Sequence, residues 1–181
     1  PACGTAGFLV AASEYIRDTH ADALLDKAQR KHFHASMFHG YDFDSTMLRI
    51  GSMNMLLHGI ESPDIRYRDS LSEGAAGDAD KYTLILANPP FGVDWKKYSD
   101  PIQTEAANEG MDGRFGAGLP RVSDGSFLFL QHMIAKMRDD EVGSQIGIVM
   151  NGSPLFTGGA SSGESEIRRW MLENDWVEAI I

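Results

Sequence analysis

An α/β fold built on a mostly parallel sheet is what this sequence predicts. Short apolar runs alternate with helix-like segments along the whole chain, and no repeat or coiled-coil register interrupts them. The run 82-YTLILA-87 is continuously apolar, as in a strand covered on both faces. Right-handed crossovers wind such strands into a parallel sheet with helices on both faces, and its ligands bind beyond the carboxyl ends of the strands.

The opening segment, 1-PACGTAG-7, reads as a loop that lets a ligand approach the backbone at the start of a helix. Residues 8–29 combine good helix formers with apolar residues at mixed three and four spacing, which predicts one helix. A short strand is expected over 34–42. The run 44–60 predicts a helix capped by Asp44 or Ser45 and closed by Gly59. Its methionines, Met47, Met53 and Met55, read as core.

Strands follow at 65–69 and 82–88. From Val93 to Ser123 periodicity is lost, which predicts a long loop of the kind used as a lid or binding segment. An amphipathic helix is expected over 124–140 and a strand over 145–150. A Gly- and Ser-rich loop at 157–166 leads into a helix over 166–175, with Ser161 and Glu164 as its capping box. The run 177–181 reads as a last strand.

The 181 residues are 43% hydrophobic, which suits one domain with a real core. No apolar run approaches the ~20 residues that cross a bilayer, and no basic-then-apolar leader opens the sequence. The single cysteine, Cys3, excludes an internal disulfide framework and a cysteine-built zinc cage, so a cytoplasmic protein is expected. With 26 acidic against 16 basic residues, the net charge is −10. A domain that gripped DNA alone would carry a basic face; for a nucleic-acid substrate, affinity would come from another segment or subunit. The chain opens without Met inside a glycine loop and stops in a strand-like run. The expectation is one domain over 1–181, a fragment truncated at both ends.

Residues just after the strands form the candidate site: Asp42, Asp69 with Ser70, 88-NPPF-91 and Asn151. A carboxylate such as Asp42 accepts both hydroxyls of a ribose, and equally caps a turn or helix. Asp69-Ser70 carries the same two readings. Pro89 and Pro90 stop a strand by themselves. A plain turn does not account for the amide of Asn88 or the ring of Phe91. His32 and His34, at i,i+2 on a strand, would share a face, but no nearby carboxylate or thiol completes a set, and no metal is expected. Ser13, Ser123 and Ser126 lack convincing His and acid partners, so hydrolase chemistry is poorly supported.

Together these pieces resemble the amino-methyltransferase domain of the modification subunit of type I restriction–modification systems, which are adenine-N6 DNA methyltransferases. The family's cofactor loop, Asp-Pro-x-x-Gly-Ser/Thr-Gly-Gly-Phe, is similar to 1-PACGTAGF-8, with Ala6 where glycine is usual. The ribose acid matches Asp42 in 40-GYD-42, followed by a family-like 53-MNMLLHGI-60. The adenine-side acid matches Asp69 in 69-DSL-71, and the catalytic tetrapeptide matches 88-NPPF-91. The segments 119–133, 150–156 and 163–181 resemble later parts of that subunit.

The resemblance implies a Rossmann-like fold dependent on S-adenosylmethionine. Pro1, Cys3, Gly4, Thr5, Gly7, Asp42, Asp69, Ser70 and Asn88 would hold that cofactor. Asn88, Pro89, Pro90 and Phe91 would do the chemistry: Asn88 and the Pro89 carbonyl accept the N6 hydrogens, and Phe91 stacks on an adenine flipped out of double-stranded DNA. A specificity subunit would read the sequence, and a restriction subunit would join the larger complex. Two rival readings stand beside it: a methyltransferase of protein glutamine side chains, which usually has Tyr after Asn-Pro-Pro, or of other amino groups, and a non-catalytic cofactor-binding or assembly module.

Overall fold

Helix α1 (Gly7–Thr19) ends at His20, whose backbone leaves helical space. A 3-10 turn follows at Ala21–Leu25, and α2 (Lys27–Ala35) then starts on a new cap: the Asp26 carboxylate accepts the N–H groups of Ala28 and Gln29 at 2.9 Å. The single helix expected over 8–29 is therefore two helices and a turn, because an Asx cap satisfies donors that a continuous helix would have to satisfy itself. The computed structural model describes residues 1–75, 77 and 79–181, with Glu73 described by its backbone only. Packing divides it into one unit of Pro1–Ser70 with Leu86–Asn88 and another of Leu71–Ile85 with Pro89–Ile181.

In the first unit β1 (His39–Asp42) is the second half of the strand expected over 34–42, since α2 claims residues to Ala35. His32 and His34 accordingly lie on a helix, and the strand-face pairing expected of them does not form. Helix α3 (Ser45–Leu57) is capped as expected by Asp44, which accepts from Thr46 at 2.7 Å and Met47 at 3.3 Å. Strand β2 (Asp64–Tyr67) runs parallel to β1, with Asp42 opposite Tyr67. Ala6, Val10, Phe33, Phe38, Met55 and Ile60 form the core. Of the methionines read as core, Met55 is buried whereas Met53 is 63% exposed, because the apolar stripe of α3 is wider than the face it buries.

Strand β3 (Leu84–Ala87) ends at the Asn-Pro-Pro sequence. Its outer face is less covered than the apolar run predicted, with Leu84 51% exposed. The expected 93–123 loop holds α4 (Ser99–Glu109), flanked by 3-10 turns at Lys96–Tyr98 and Gly110–Asp112. Helix α5 (Ser126–Ala135) is not amphipathic: Ser126 through Met133 are all buried. Strand β4 (Gln145–Ile148) pairs with β3. The short α6 (Ser153–Phe156) precedes α7 (Gly163–Glu173), which begins earlier than expected. Its cap is Ser162, whose hydroxyl accepts from Ser165, while Ser161 takes a left-handed φ of 65° and caps nothing. Val177–Ile181 form no strand and are exposed. Phe127, Leu130 and Ile167 centre this unit's core, with Ile134, Ile146 and Ile148 against them.

The α/β expectation holds: helices alternate with strands, and the β1–β2 pair is parallel.

Candidate functional site

The opening loop is tied to the end of β1 by its backbone. Cys3 donates its N–H to the Tyr41 carbonyl at 2.9 Å, and Gly4 donates to Asp42 Oδ2 at 2.9 Å. Asp42, 7% exposed, uses Oδ1 to accept the Asp44 N–H at 2.9 Å. One carboxylate thus fixes the loop before α1 and the turn before α3. Each carboxylate oxygen has two lone-pair directions, so both keep capacity for another donor. Gly4 reaches this arrangement with φ at 54°, a conformation glycine adopts without penalty.

On its other side the loop is open. A Cβ built on Gly4 or on Gly7 would meet nothing within 4 Å. Helix α1 has no side-chain cap, and the N–H groups of Gly7, Phe8 and Leu9 find no acceptor among the described residues. Uncapped N–H groups beside open space suit an anionic ligand group. Thr5 lies exposed between the two glycines, and Pro1 is half-buried. Ala6 stands where the resembled cofactor loop usually has glycine. Its φ is 61° and it is 1% exposed, so the methyl packs in the core with Val10 and Met55.

Burial, and then the charge of Asp42, push the Cys3 thiol up to about 11. Cys3 is therefore a protonated packing group at neutral pH, not a nucleophile.

Asp42 is the last residue of β1, and Asp69 and Ser70 follow its parallel neighbour β2; the Arg68 N–H donates to the Asp42 carbonyl at 2.9 Å. Asp69 is half-buried and Ser70 is 4% exposed. Asn88 follows directly on β3; it is exposed, and its amide makes no hydrogen bond to the described residues. In the second unit Pro89 is fully buried, Pro90 is exposed and Phe91 is 48% exposed. A buried proline thus anchors a stretch that presents an amide before it and a ring after it. Asn151 is also exposed, and its side chain accepts the Ser153 N–H at 3.0 Å at the start of α6.

The second unit also holds a buried charge network. Arg114 grips Glu105 through Nε (2.8 Å to Oε1) and Nη2 (2.6 Å to Oε2), and also donates to the Ser72 carbonyl at 3.1 Å. His132 Nδ1 lies 3.1 Å from Arg114 Nη1. Neither Arg114 nor Glu105 carries a sequence signal, since their pairing depends on α4, which loop-like composition conceals. The segment's ends are laced together too: Trp95 N–H donates to the Val122 carbonyl at 3.0 Å, its indole to the Arg121 carbonyl at 2.9 Å, and Gly125 N–H to the Val93 carbonyl at 2.9 Å. Among the described residues no cluster of three or more His, Cys, Asp or Glu could hold a metal, and no helix is long and apolar enough to cross a membrane.

Parallel strands with acids at or just after their carboxyl ends, and a glycine-containing loop feeding an uncapped helix, define a Rossmann-like α/β domain. The particular family is the N-6 DNA methylases: the family model matches residues 1–181, and the chain belongs to it. The chain is 27% identical over 189 residues to the MjaVII type I restriction enzyme methylase subunit of Methanocaldococcus jannaschii, covering all of this chain and 28% of that protein. It is 26% identical over 182 residues to the EcoEI methylase subunit of Escherichia coli, again over its whole length and 32% of the relative. The crystal structure of the EcoKI M protein matches 94% of the chain at 28% identity and a TM-score of 0.70, with 32% of that protein covered. A putative type I modification subunit from Vibrio vulnificus matches 95% of the chain at 29% identity and a TM-score of 0.69. The chain thus spans about a third of the length of the relatives it matches.

Proposed function

We propose that this chain is the methyl-transferring part of a type I modification subunit and that it methylates N6 of adenine in DNA. The observation that carries the reading is the placement of 88-NPPF-91 directly after β3, with the Asn88 amide and the Phe91 ring exposed and Pro89 buried between them. S-adenosylmethionine, when bound, supplies a methyl group activated by its sulfonium. Pro1, Cys3, Gly4, Thr5 and Gly7 would line its methionine end, where the uncapped α1 N–H groups suit a carboxylate. Asp42 and Asp69, with Ser70, would take its ribose and adenine.

The exocyclic N6 is a poor nucleophile, because its lone pair is delocalised into the ring. The Asn88 side-chain oxygen and the Pro89 carbonyl would accept its two hydrogens, favouring a more tetrahedral nitrogen. The prolines hold both acceptors in place before substrate arrives. Phe91 would stack on the base, which must leave the duplex to be reached. N6 would gain the methyl group as the methyl–sulfur bond breaks, its electron pair staying with sulfur as a neutral thioether, and would release one proton to solvent.

The net charge of −10 supports division of labour, with DNA recognition left to a specificity subunit and a restriction subunit in the larger complex. The cytoplasm is the compartment such a complex would occupy. Replacing Asn88 with Ala tests the reading in a methyl-transfer assay on adenine-containing duplex, with a specificity subunit added. Transfer should fall by about a hundred- to thousand-fold, while S-adenosylmethionine binding, to which Asn88 would add one contact among several, falls by no more than about tenfold. Retained transfer would remove Asn88 from the chemistry.

A further inference from the structure

The loop before α1 is gripped from two sides, and only one grip comes from the strand ends. Helix α3 presents two residues to it from the other side. The Asn54 side-chain amide donates to the Thr5 carbonyl at 2.9 Å. One turn earlier, a Cβ on the buried Gly51 would lie 3.0 Å from the Gly4 carbonyl oxygen and 3.5 Å from the Ala6 methyl. Residues three apart share a helix face, so both act on the same stretch of loop. Glycine is a poor residue for a helix interior, and here its missing side chain permits the close approach.

The Asn54 bond has a consequence for α1. The Thr5 carbonyl is the acceptor that the Leu9 N–H would use if α1 began one residue earlier. Asn54 bonds that carbonyl from the α3 side while Ala6, with its left-handed φ of 61°, turns the chain out of helical space, and the N–H groups of Gly7, Phe8 and Leu9 find no acceptor among the described residues. The loop is therefore packed on its α3 side and open on the side of Gly4 and Gly7.

We infer that Asn54 and Gly51 of α3 are positioning residues that hold the 3–7 loop in the shape its ligand needs and keep the first N–H groups of α1 free to receive it. The ligand named here rests on the proposed assignment of the loop to S-adenosylmethionine; the loop's shape belongs to the protein alone.

Calorimetric titration with S-adenosylmethionine, melting curves and amide hydrogen exchange test this on the unsubstituted protein and two variants. Asn54→Asp keeps the side chain's shape but presents an acceptor to the Thr5 carbonyl at neutral pH. Gly51→Ala adds one methyl group beneath the Gly4 carbonyl. Each should weaken binding by about tenfold, the scale of one lost hydrogen bond, and speed exchange of the Gly4 and Ala6 amides without ligand. The melting temperature of Gly51→Ala should hold or rise, because alanine favours a helix. A residue that merely supported the fold would lose affinity and stability together. Undiminished binding in Gly51→Ala, with unchanged exchange at Gly4 and Ala6, overturns the inference and leaves the cofactor assignment standing. If the unsubstituted protein binds no S-adenosylmethionine, that assignment fails instead. The exchange rates then decide alone: faster exchange in the variants supports the positioning role, and unchanged exchange overturns it.

Discussion

The two units fix their irregular segments by opposite means. In the first, the loop over 3–6 is held by single hydrogen bonds: its N–H groups donate to Asp42 and to the Tyr41 carbonyl, and its Thr5 carbonyl accepts from the Asn54 amide, beside open space. In the second, the stretch from Val93 to Gly125 is held from within by a buried guanidinium–carboxylate pair and a buried indole. Backbone bonds to one carboxylate shape a loop while leaving its donors exposed to a ligand. A desolvated ion pair gives rigidity at the risk of a stranded charge. The first arrangement suits binding; the second suits scaffolding.

The largest effect expected from this contrast is at Arg114. Arg114→Leu leaves Glu105, 9% exposed, as a buried carboxylate without its guanidinium, and should cost about 3–5 kcal/mol in urea unfolding. Replacing Glu105 with Leu as well should recover most of that loss, since an apolar pair of similar volume is often no worse than the ion pair. A double variant as unstable as the single one would show that Arg114 acts through its other contacts.

A smaller effect is expected at Asp124, where α5 begins. Burial raises its carboxyl pKa, but hydrogen bonds from the Ser126 hydroxyl and N–H, with the charge of Arg121, outweigh burial and leave it below 3.8. Its folded pKa is thus lower than its unfolded one. The contribution is fully present above the unfolded value and fades as pH falls through the folded value. The stability gap between the protein and Asp124→Asn should be constant above about pH 5 and narrow below about pH 4. A gap that stays unchanged across that range would contradict the assignment.

The smallest effect is chemical. Cys3, with its thiol near 11, should react with iodoacetamide at pH 8 more slowly than a free thiol of ordinary pKa, and speed up as pH rises past 10. Fast alkylation at pH 8 would mean that the loop opens in solution.

Much of the first unit was legible in the sequence because its signals are local. Asp44 sits where a cap is needed, β1 ends on Asp42, Asp69 comes shortly after β2, and Asn88 follows directly on β3. What escaped has physical reasons. Asp26 is an ordinary polar residue in a helix-rich run until its carboxylate is seen taking two N–H groups. Helix α4 starts at 99-SDP-101, a sequence that suits a helix start with proline in the first turn, but the surrounding glycines hid it. Residues 126–133 read as amphipathic because Gln131 and His132 are polar, yet both are buried. Asn54 and Gly51 looked like ordinary helix positions, for their partners lie about fifty residues away in sequence. Sequence patterns report what a residue does to its neighbours along the chain, and these residues act across it.

The most direct test of the account is a calorimetric titration of the protein with S-adenosylmethionine beside Asp42→Ala, with melting curves of both in the same buffer. The unsubstituted protein should bind saturably, and the variant, in which the Gly4 N–H has lost its acceptor, should bind at least about tenfold more weakly. Equal binding by both, or no saturable binding by a protein that melts cooperatively, would contradict the assignment of the opening loop and Asp42 to the cofactor.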